Sequence, residues 1–276
     1  MLNQWYLSFD PVAFSLFGLK IHWYGIAYII ALLGAFVIAS YFRKQQRFSS
    51  ISEKNLERFF LYAELGVILG ARIGYVLIYS PSRWDYLLAP WEIFNPFDQQ
   101  GNFVGISGMS FHGGIIGFLL GSYLFCKRYK QNLWLYLDLL ALSIPLAYTF
   151  GRIGNFLNHE LYGRIIPQDS TLWQHFGIFI NGALRYPSQL IEGFLEGIVV
   201  FFIVWIAKKF VKFDGGLIAI YAISYALMRF IAEFYREPDI QMGLYGIFSM
   251  GQILSILMLF GGIWILASQF GSKEKA

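Results

Sequence analysis

Seven stretches of roughly 20 mostly apolar residues run through this chain, each long enough to cross a bilayer as a helix. They cover about 23–42, 59–79, 105–125, 133–150, 189–207, 216–234 and 246–268. Hydrocarbon offers backbone N–H and C=O groups no partner, so such a stretch satisfies its own hydrogen bonds as a helix. Segments two, four and six carry internal charge and are expected to score weakly on hydropathy alone. Only 14% of the residues are charged, against about a quarter in a soluble domain. With 57% hydrophobic and 20% aromatic residues, the composition excludes a soluble enzyme, a disordered chain and a disulfide-stapled secreted module. The lone Cys126 excludes an internal disulfide and a cysteine-based metal cluster. The expected fold is an all-α integral membrane protein of about seven transmembrane helices, forming one embedded domain over 1–276.

Basic residues orient the spans. Arg43, Lys44, Arg47, Lys54 and Arg58 follow the first; Lys127, Arg128 and Lys130 the third; Lys208, Lys209 and Lys212 the fifth; Lys273 and Lys275 the seventh. These are 13 of the 21 Lys and Arg. Seven crossings put all of them on one side, which the positive-inside rule makes cytoplasmic, with the amino terminus outside. The net charge of +4 is thus a topology signal, and no nucleic-acid partner is expected. Met1–Lys20 lacks a basic start followed by an apolar run, so no cleavable signal peptide is expected there. It reads as a short interfacial segment. Two outer-face connections, about 80–104 and 153–187, are long; the second is polar and is expected to form an outward-facing head between spans four and five.

An ionised side chain at mid-membrane costs at least about 2.5 kcal/mol. Glu64, Arg72, His112, Asp138, Arg152, Glu192, Glu196, Arg229 and Glu233 stand in or at the ends of spans. Arg229 and Glu233 share a helix face with Tyr225. They form either an intrahelical ion pair or a fork presented to phosphate, with the glutamate holding it. Arg152 belongs to a run from Gly151 to Gly163 rich in glycine, amides and acid, including Asn155, Asn158 and Glu160; it is a hydrogen-bonded helix end or an anion site. His159-Glu160 lacks the second histidine of a zinc motif, since Gly163 stands in its place. His112 precedes a stripe of Gly113, Gly117 and Gly121, matched on span two by Gly66, Gly70 and Gly74; such stripes admit a close helix neighbour. It is a packed hydrogen-bond donor or a base. Tyr24 is an interfacial anchor or a site residue. Arginine in apolar surroundings calls for an anion, and at that depth the anion is a phospholipid headgroup. Binding and chemistry are not distinguished by these residues.

Gly151 to Gly163 reads G-R-x-G-N-F-x-N-x-E-x-x-G and resembles the signature of bacterial prolipoprotein diacylglyceryl transferases. Further blocks extend the likeness: His22-Trp23-Tyr24-Gly25, Gly70–Tyr75, Ser110–Gly114, Tyr186–Glu192, Arg229 to Asp239, and Ser249-Met250-Gly251-Gln252. One departure is Ser107-Gly108, where the family often has two glycines. The resemblance implies transfer of diacylglyceryl from phosphatidylglycerol to the lipobox cysteine of a prolipoprotein signal peptide, in the bacterial cytoplasmic membrane and among its lipids. It implies no cofactor or metal. Arg152 and Arg229 are the implied clamp on the leaving phosphate and His112 the implied base. Asn155, Asn158 and Glu160 would orient Arg152 and the headgroup, Glu233 would hold Arg229, and Tyr24 and Tyr225 would line the site. The rival readings are a lipid-binding or lipid-flipping protein, a membrane O-acyltransferase and a structural assembly protein. They predict polar groups continuing through the membrane, a His-x4-Asp pair in one such class, and no arginine within spans, respectively.

Overall fold

The computed structural model describes residues 2–16, 19–80, 83–97, 100–101, 105, 108–237, 244–245 and 248–273. Ser107, Pro238, Asp239, Gly246, Lys275 and part of the 80–104 connection, all used in the sequence reading, lie outside them. The chain divides into two compact units, Met1–Phe48 with Trp134–Ala276, and Ser49–Leu133.

The smaller unit is built on α3 (Glu53–Ile78) and α5 (Phe111–Tyr129), with the short helix α4 (Arg83–Leu88) in the connection. The two glycine stripes face each other. A Cβ on Gly66 or Gly70 would overlap the carbonyl of Gly117 or Gly113, and a Cβ on Gly117 would overlap that of Gly66. The helices run antiparallel with their backbones in contact, the close approach that small residues permit. Ser110 caps α5 by accepting from Gly113 N at 3.1 Å, while its own N–H donates to Ala71 O at 2.8 Å. Arg72 is buried and donates through Nε to Ile93 O and through Nη1 to Gly108 O.

The larger unit begins with α1 (Leu2–Ser8) and a hairpin of β1 (Val12–Leu16) and β2 (Leu19–His22), then α2 (Trp23–Arg43). The interfacial stretch expected before span one is thus folded, and Tyr6 forms a small core with Phe156 and Ile178. Burial pushes the Tyr6 phenol up to about 12. α6 (Leu133–Ala141) and α7 (Ile144–Leu157) replace the single straight span expected at 133–150; they meet at a 51° bend. Pro145, at the start of α7, cannot continue the preceding helix's hydrogen bonding. α8 (Thr171–Phe176), β3 (Ile178–Ile180) and β4 (Ala183–Arg185) lie in the long connection. The last two turn through Asn181-Gly182, both at positive φ. α9 (Ser188–Glu192), a π-helical segment over Gly193–Val199 and α10 (Val200–Ala207) form one continuous 20-residue span. α11 (Gly216–Ala232), the two-residue strands β5 (Leu244–Tyr245) and β6 (Phe248–Ser249), and α12 (Met250–Lys273) complete the unit.

Asp138 explains itself here. It is fully buried, accepts from Gly215 N and Ile218 N at 3.0 and 2.9 Å, and pairs with Arg47. A carboxylate there meets the unsatisfied N–H groups and positive end of α11, the helix that carries Arg229.

The fold is that of a mostly helical membrane protein. Among the described residues, four helices are long and apolar enough to cross a bilayer, and the α6–α7 pair makes up to five. α3, the second segment, meets that standard despite its charge, whereas α5 does not and α11 has only 17 residues. His112, four glycines and Lys127-Arg128 dilute α5. Among the described residues, three two-stranded hairpins outside the spans depart from the all-α expectation.

Gly117→Val is expected to destabilise the smaller unit by about 1–3 kcal/mol, because the helices cannot separate without losing their contact. Gly34→Ala, with nothing within 4 Å of its Cβ, is expected to leave stability equal or slightly higher. Thermal unfolding of both variants in detergent measures the difference.

Candidate active site

Six charged side chains from four helical segments of the larger unit, and from the turn that follows one of them, meet in one network. Arg152 Nη2 lies 2.8 Å from Glu192 Oε2, and Arg229 Nη1 lies 2.9 Å from the same oxygen. Arg229 Nη1 also reaches Glu196 Oε1 at 3.2 Å, and its Nη2 pairs with Glu233 Oε1. Arg236 completes the set at 3.6 Å from Glu192 and 3.9 Å from Glu233. The intrahelical Arg229–Glu233 ion pair is present, and the same fork reaches two carboxylates on another helix.

Tyr148 joins the two arginines that the sequence singled out. Its hydroxyl accepts from Arg152 Nε at 2.6 Å and donates to Glu196 Oε2 at 2.6 Å. Arg152 also stacks over the Tyr148 ring at 4.9 Å, and Tyr225 meets that ring edge-on at 5.9 Å. The π-helical segment carries Glu196 and follows Glu192 directly. Thr149 Oγ1 donates to Gly193 O at 3.0 Å, which supplies a partner where the wider helix has shifted its own ladder. A Cβ on Gly197 would overlap Thr149 Oγ1. Glycine there lets the π segment press against α7.

Glu233 is held from a further helix. Ser249 Oγ donates to its Oε2 at 2.7 Å, while Ser249 and Gln252 form a reciprocal cap at the start of α12. A Cβ on Gly251 would overlap the Glu233 carboxylate. The block Ser249-Met250-Gly251-Gln252 is therefore a helix start shaped around that side chain.

The charges balance, three against three, but they are not equally buried. The Glu192 and Glu196 side chains are 0% exposed, whereas those of Arg152, Arg229 and Arg236 are 13%, 15% and 12% exposed. The carboxylates form a floor and the guanidiniums a rim. Arg152 uses two of its five N–H donors in this way among the described residues. Such a rim can take a further anion.

Past the end of α7 the chain folds into a second polar group. Asn155 Nδ2 donates to Glu160 Oε1 at 2.8 Å, and Gln189 Nε2 donates to Glu160 O. His159 and Leu161, on either side of Glu160, hold positive φ values of 57° and 56°, strain of about 1–3 kcal/mol each. Gly163 is wedged between the carbonyls of Tyr186 and Tyr235, where no Cβ fits. Its N–H donates to Tyr186 O, and Arg164 N donates to Tyr235 O, both at 2.9 Å. Tyr24, in the first turn of α2, pairs with Tyr28 and lies within electrostatic reach of Arg152 and Glu160. Gly154 allows that approach, because a Cβ would stand 2.9 Å from Ala27 Cβ and 3.6 Å from Tyr24 Cα.

The expected residues thus sort into groups. Arg152, Arg229, Glu233 and Tyr225 share the network, with Asn155, Glu160 and Tyr24 beside it. Asn158 is the C-cap residue of α7 and makes no side-chain hydrogen bond among the described residues. His112 belongs to the smaller unit, exposed on the first turn of α5 with its ring edge-on to Phe111. The sequence reading left Glu192, Glu196, Tyr148 and Arg236 out of the site. The two glutamates, four apart in an apolar span, gave the clearest signal. Among the described residues no group of three or more His, Cys, Asp or Glu side chains is disposed to hold a metal.

A family model described as prolipoprotein diacylglyceryl transferase matches residues 11–268. The chain is 56% identical over 279 residues to the phosphatidylglycerol–prolipoprotein diacylglyceryl transferase of Helicobacter pylori strain J99, with 99% of each chain covered. It is 54% identical to the protein of that name from Helicobacter acinonychis, again over 99% of each. Against that of Campylobacter hominis it is 56% identical, over 94% of this chain and 91% of the relative. This chain belongs to the prolipoprotein diacylglyceryl transferase family.

Proposed function

We propose that this enzyme transfers the diacylglyceryl group of phosphatidylglycerol to the lipobox cysteine thiol of a prolipoprotein, the first step of bacterial lipoprotein maturation. The observation that carries this reading is the rim of Arg152, Arg229 and Arg236 over buried glutamates, in a chain of this family. The substrate is a phosphodiester with one negative charge, and the product glycerol phosphate carries more. The thiolate sulfur bonds to the third glycerol carbon of the diacylglyceryl group. The bond from that carbon to the phosphate oxygen breaks, and its electron pair leaves with glycerol phosphate. Guanidinium N–H groups aimed at that oxygen stabilise charge that grows only as the bond breaks.

A free thiol has a pKa of about 8.5, so a base or a positive field must raise its thiolate fraction. In this reading His112 takes the thiol proton. Arg152 and Arg229 clamp the phosphate, Glu233 and Glu160 with Asn155 fix their orientation, and Tyr24, Tyr225 and Asn158 line the site. The seven-span arrangement, with the amino terminus outside, the carboxy terminus cytoplasmic and the 153–187 segment as an outer head in the inner membrane, belongs to the same proposal. It is supported by the basic residues after alternate spans.

Purified protein incubated with phosphatidylglycerol and a lipobox peptide is expected to add one diacylglyceryl mass to the Cys peptide and none to a Ser peptide, releasing glycerol phosphate. No mass gain in folded, lipid-bound protein would turn the reading toward lipid movement. Arg152→Lys and Arg229→Lys are each expected to lower kcat/KM by roughly 100-fold or more, since an ammonium gives no bidentate contact. Near-normal turnover removes that residue from the clamp. His112→Gln is expected to lose most activity and the acidic limb of the pH–rate profile; if both persist, the arginine field alone generates the thiolate.

A further inference from the structure

A groove of 480 Å³ runs between α2, α7 and α10, lined by Val37, Ile38, Phe42, Leu146, Phe201 and Trp205 among others. Its walls are almost wholly apolar side chains, and Val37, Phe202 and Trp205 on its open side are exposed. Val37 precedes Arg43, the last residue of α2, by six positions, or about 9 Å of helix. The groove therefore occupies the last turns of two spans before their basic ends.

Two ammonium groups close that end, each resting on a ring that also lines the groove. Lys208 Nζ lies 4.7 Å from the Phe42 ring centroid, and Lys209 Nζ lies 5.5 Å from that of Trp205. Lys208 donates to Gln45 Oε1 at 2.6 Å, and neither lysine has a carboxylate partner among the described residues. Among the described residues, the charges that act on Lys208 are those of Lys212, Arg47 and Lys209, all positive. Burial and those neighbours lower its pKa, so a nearby anion would relieve the group. Arg47 has its own counter-charge in Asp138, and the arrangement leaves the two lysines without one.

We propose that this groove and its two lysines form a binding site for an anionic phospholipid distinct from the arginine network. An acyl chain lies along Val37, Ile38, Leu146 and Phe201, and the phosphate meets Lys208 and Lys209 at headgroup level. An apolar channel ending in uncompensated cations matches a molecule that is apolar along one part and anionic at its head. A free phosphate would satisfy the lysines and leave the groove unused, and a zwitterionic lipid brings its own cation to them.

Trp205 reports on the site. Protein in phosphatidylcholine vesicles is titrated with dibrominated phosphatidylglycerol, phosphatidylserine or phosphatidylcholine, and the quenching is compared with that of Trp205→Phe to isolate this one indole. Both anionic lipids are expected to quench Trp205 at a mole fraction roughly 25-fold lower than phosphatidylcholine does, about fivefold from each lysine. Lys208→Gln with Lys209→Gln is expected to abolish the preference while leaving the transfer reaction intact. Soluble glycerol phosphate is expected to leave the quenching unchanged. Equal quenching by all three lipids, a preference that survives loss of both lysines, or displacement by glycerol phosphate would each overturn the proposal.

Discussion

Everything at the candidate site depends on one arrangement: three glutamates inside an apolar bundle, each held by arginine. Burying a lone carboxylate is prohibitive, and removing one partner from a buried pair costs about 3–5 kcal/mol. Glu192 therefore ties α7, through Arg152, to α11, through Arg229. Glu233 extends the tie to the start of α12 through Ser249. The helices are positioned by the same contacts that aim the guanidiniums. The glutamates are the buried members and the arginines the more exposed ones, and arginine's planar fork keeps its direction where a lysine would not.

Backbone proximity is the second constraint, and glycine supplies it where it is needed. In the smaller unit the stripes on α3 and α5 bring carbonyls against Cα atoms. In the larger unit Gly197 seats the π segment on α7, Gly251 admits the Glu233 carboxylate, and Gly163 is pinned between two tyrosine carbonyls. The strained residues on either side of Glu160 are held by these neighbours, as Ser188 Oγ donates to Leu161 O and Gln189 to Glu160 O. Strain concentrated beside a site is a means of fixing side-chain direction before a substrate arrives.

Hydropathy and charge made much of this legible. α2, α3, α12 and the span ending at Ala207 fall where apolar runs predict them, because length and composition alone determine those segments. The bend between α6 and α7 did not show, since Leu142-Ser143 continues the apolar pattern and only Pro145 hints at a break. The first residues, read as an interfacial stretch, fold because Tyr6 finds Phe156 and Ile178, partners more than 140 positions away. Arg152, Arg229 and Glu233 stood out as charges in apolar surroundings. Glu192 and Glu196 did too, but which helix they face is a tertiary fact. Tyr148 looked like any aromatic in a span, and its role exists only through the two side chains on either side of its hydroxyl.

In the proposed reaction the guanidinium rim meets the phosphate of phosphatidylglycerol. The most direct measurement is a solid-state NMR distance between 15N-labelled arginine side chains and the phosphorus of a phosphorothioate analogue of that lipid, whose resonance lies apart from bulk lipid. Strong nitrogen–phosphorus dephasing at hydrogen-bonding range is expected, falling in Arg152→Lys and in Arg229→Lys. Dephasing that is absent, or that neither substitution changes, would contradict it and place the phosphate elsewhere.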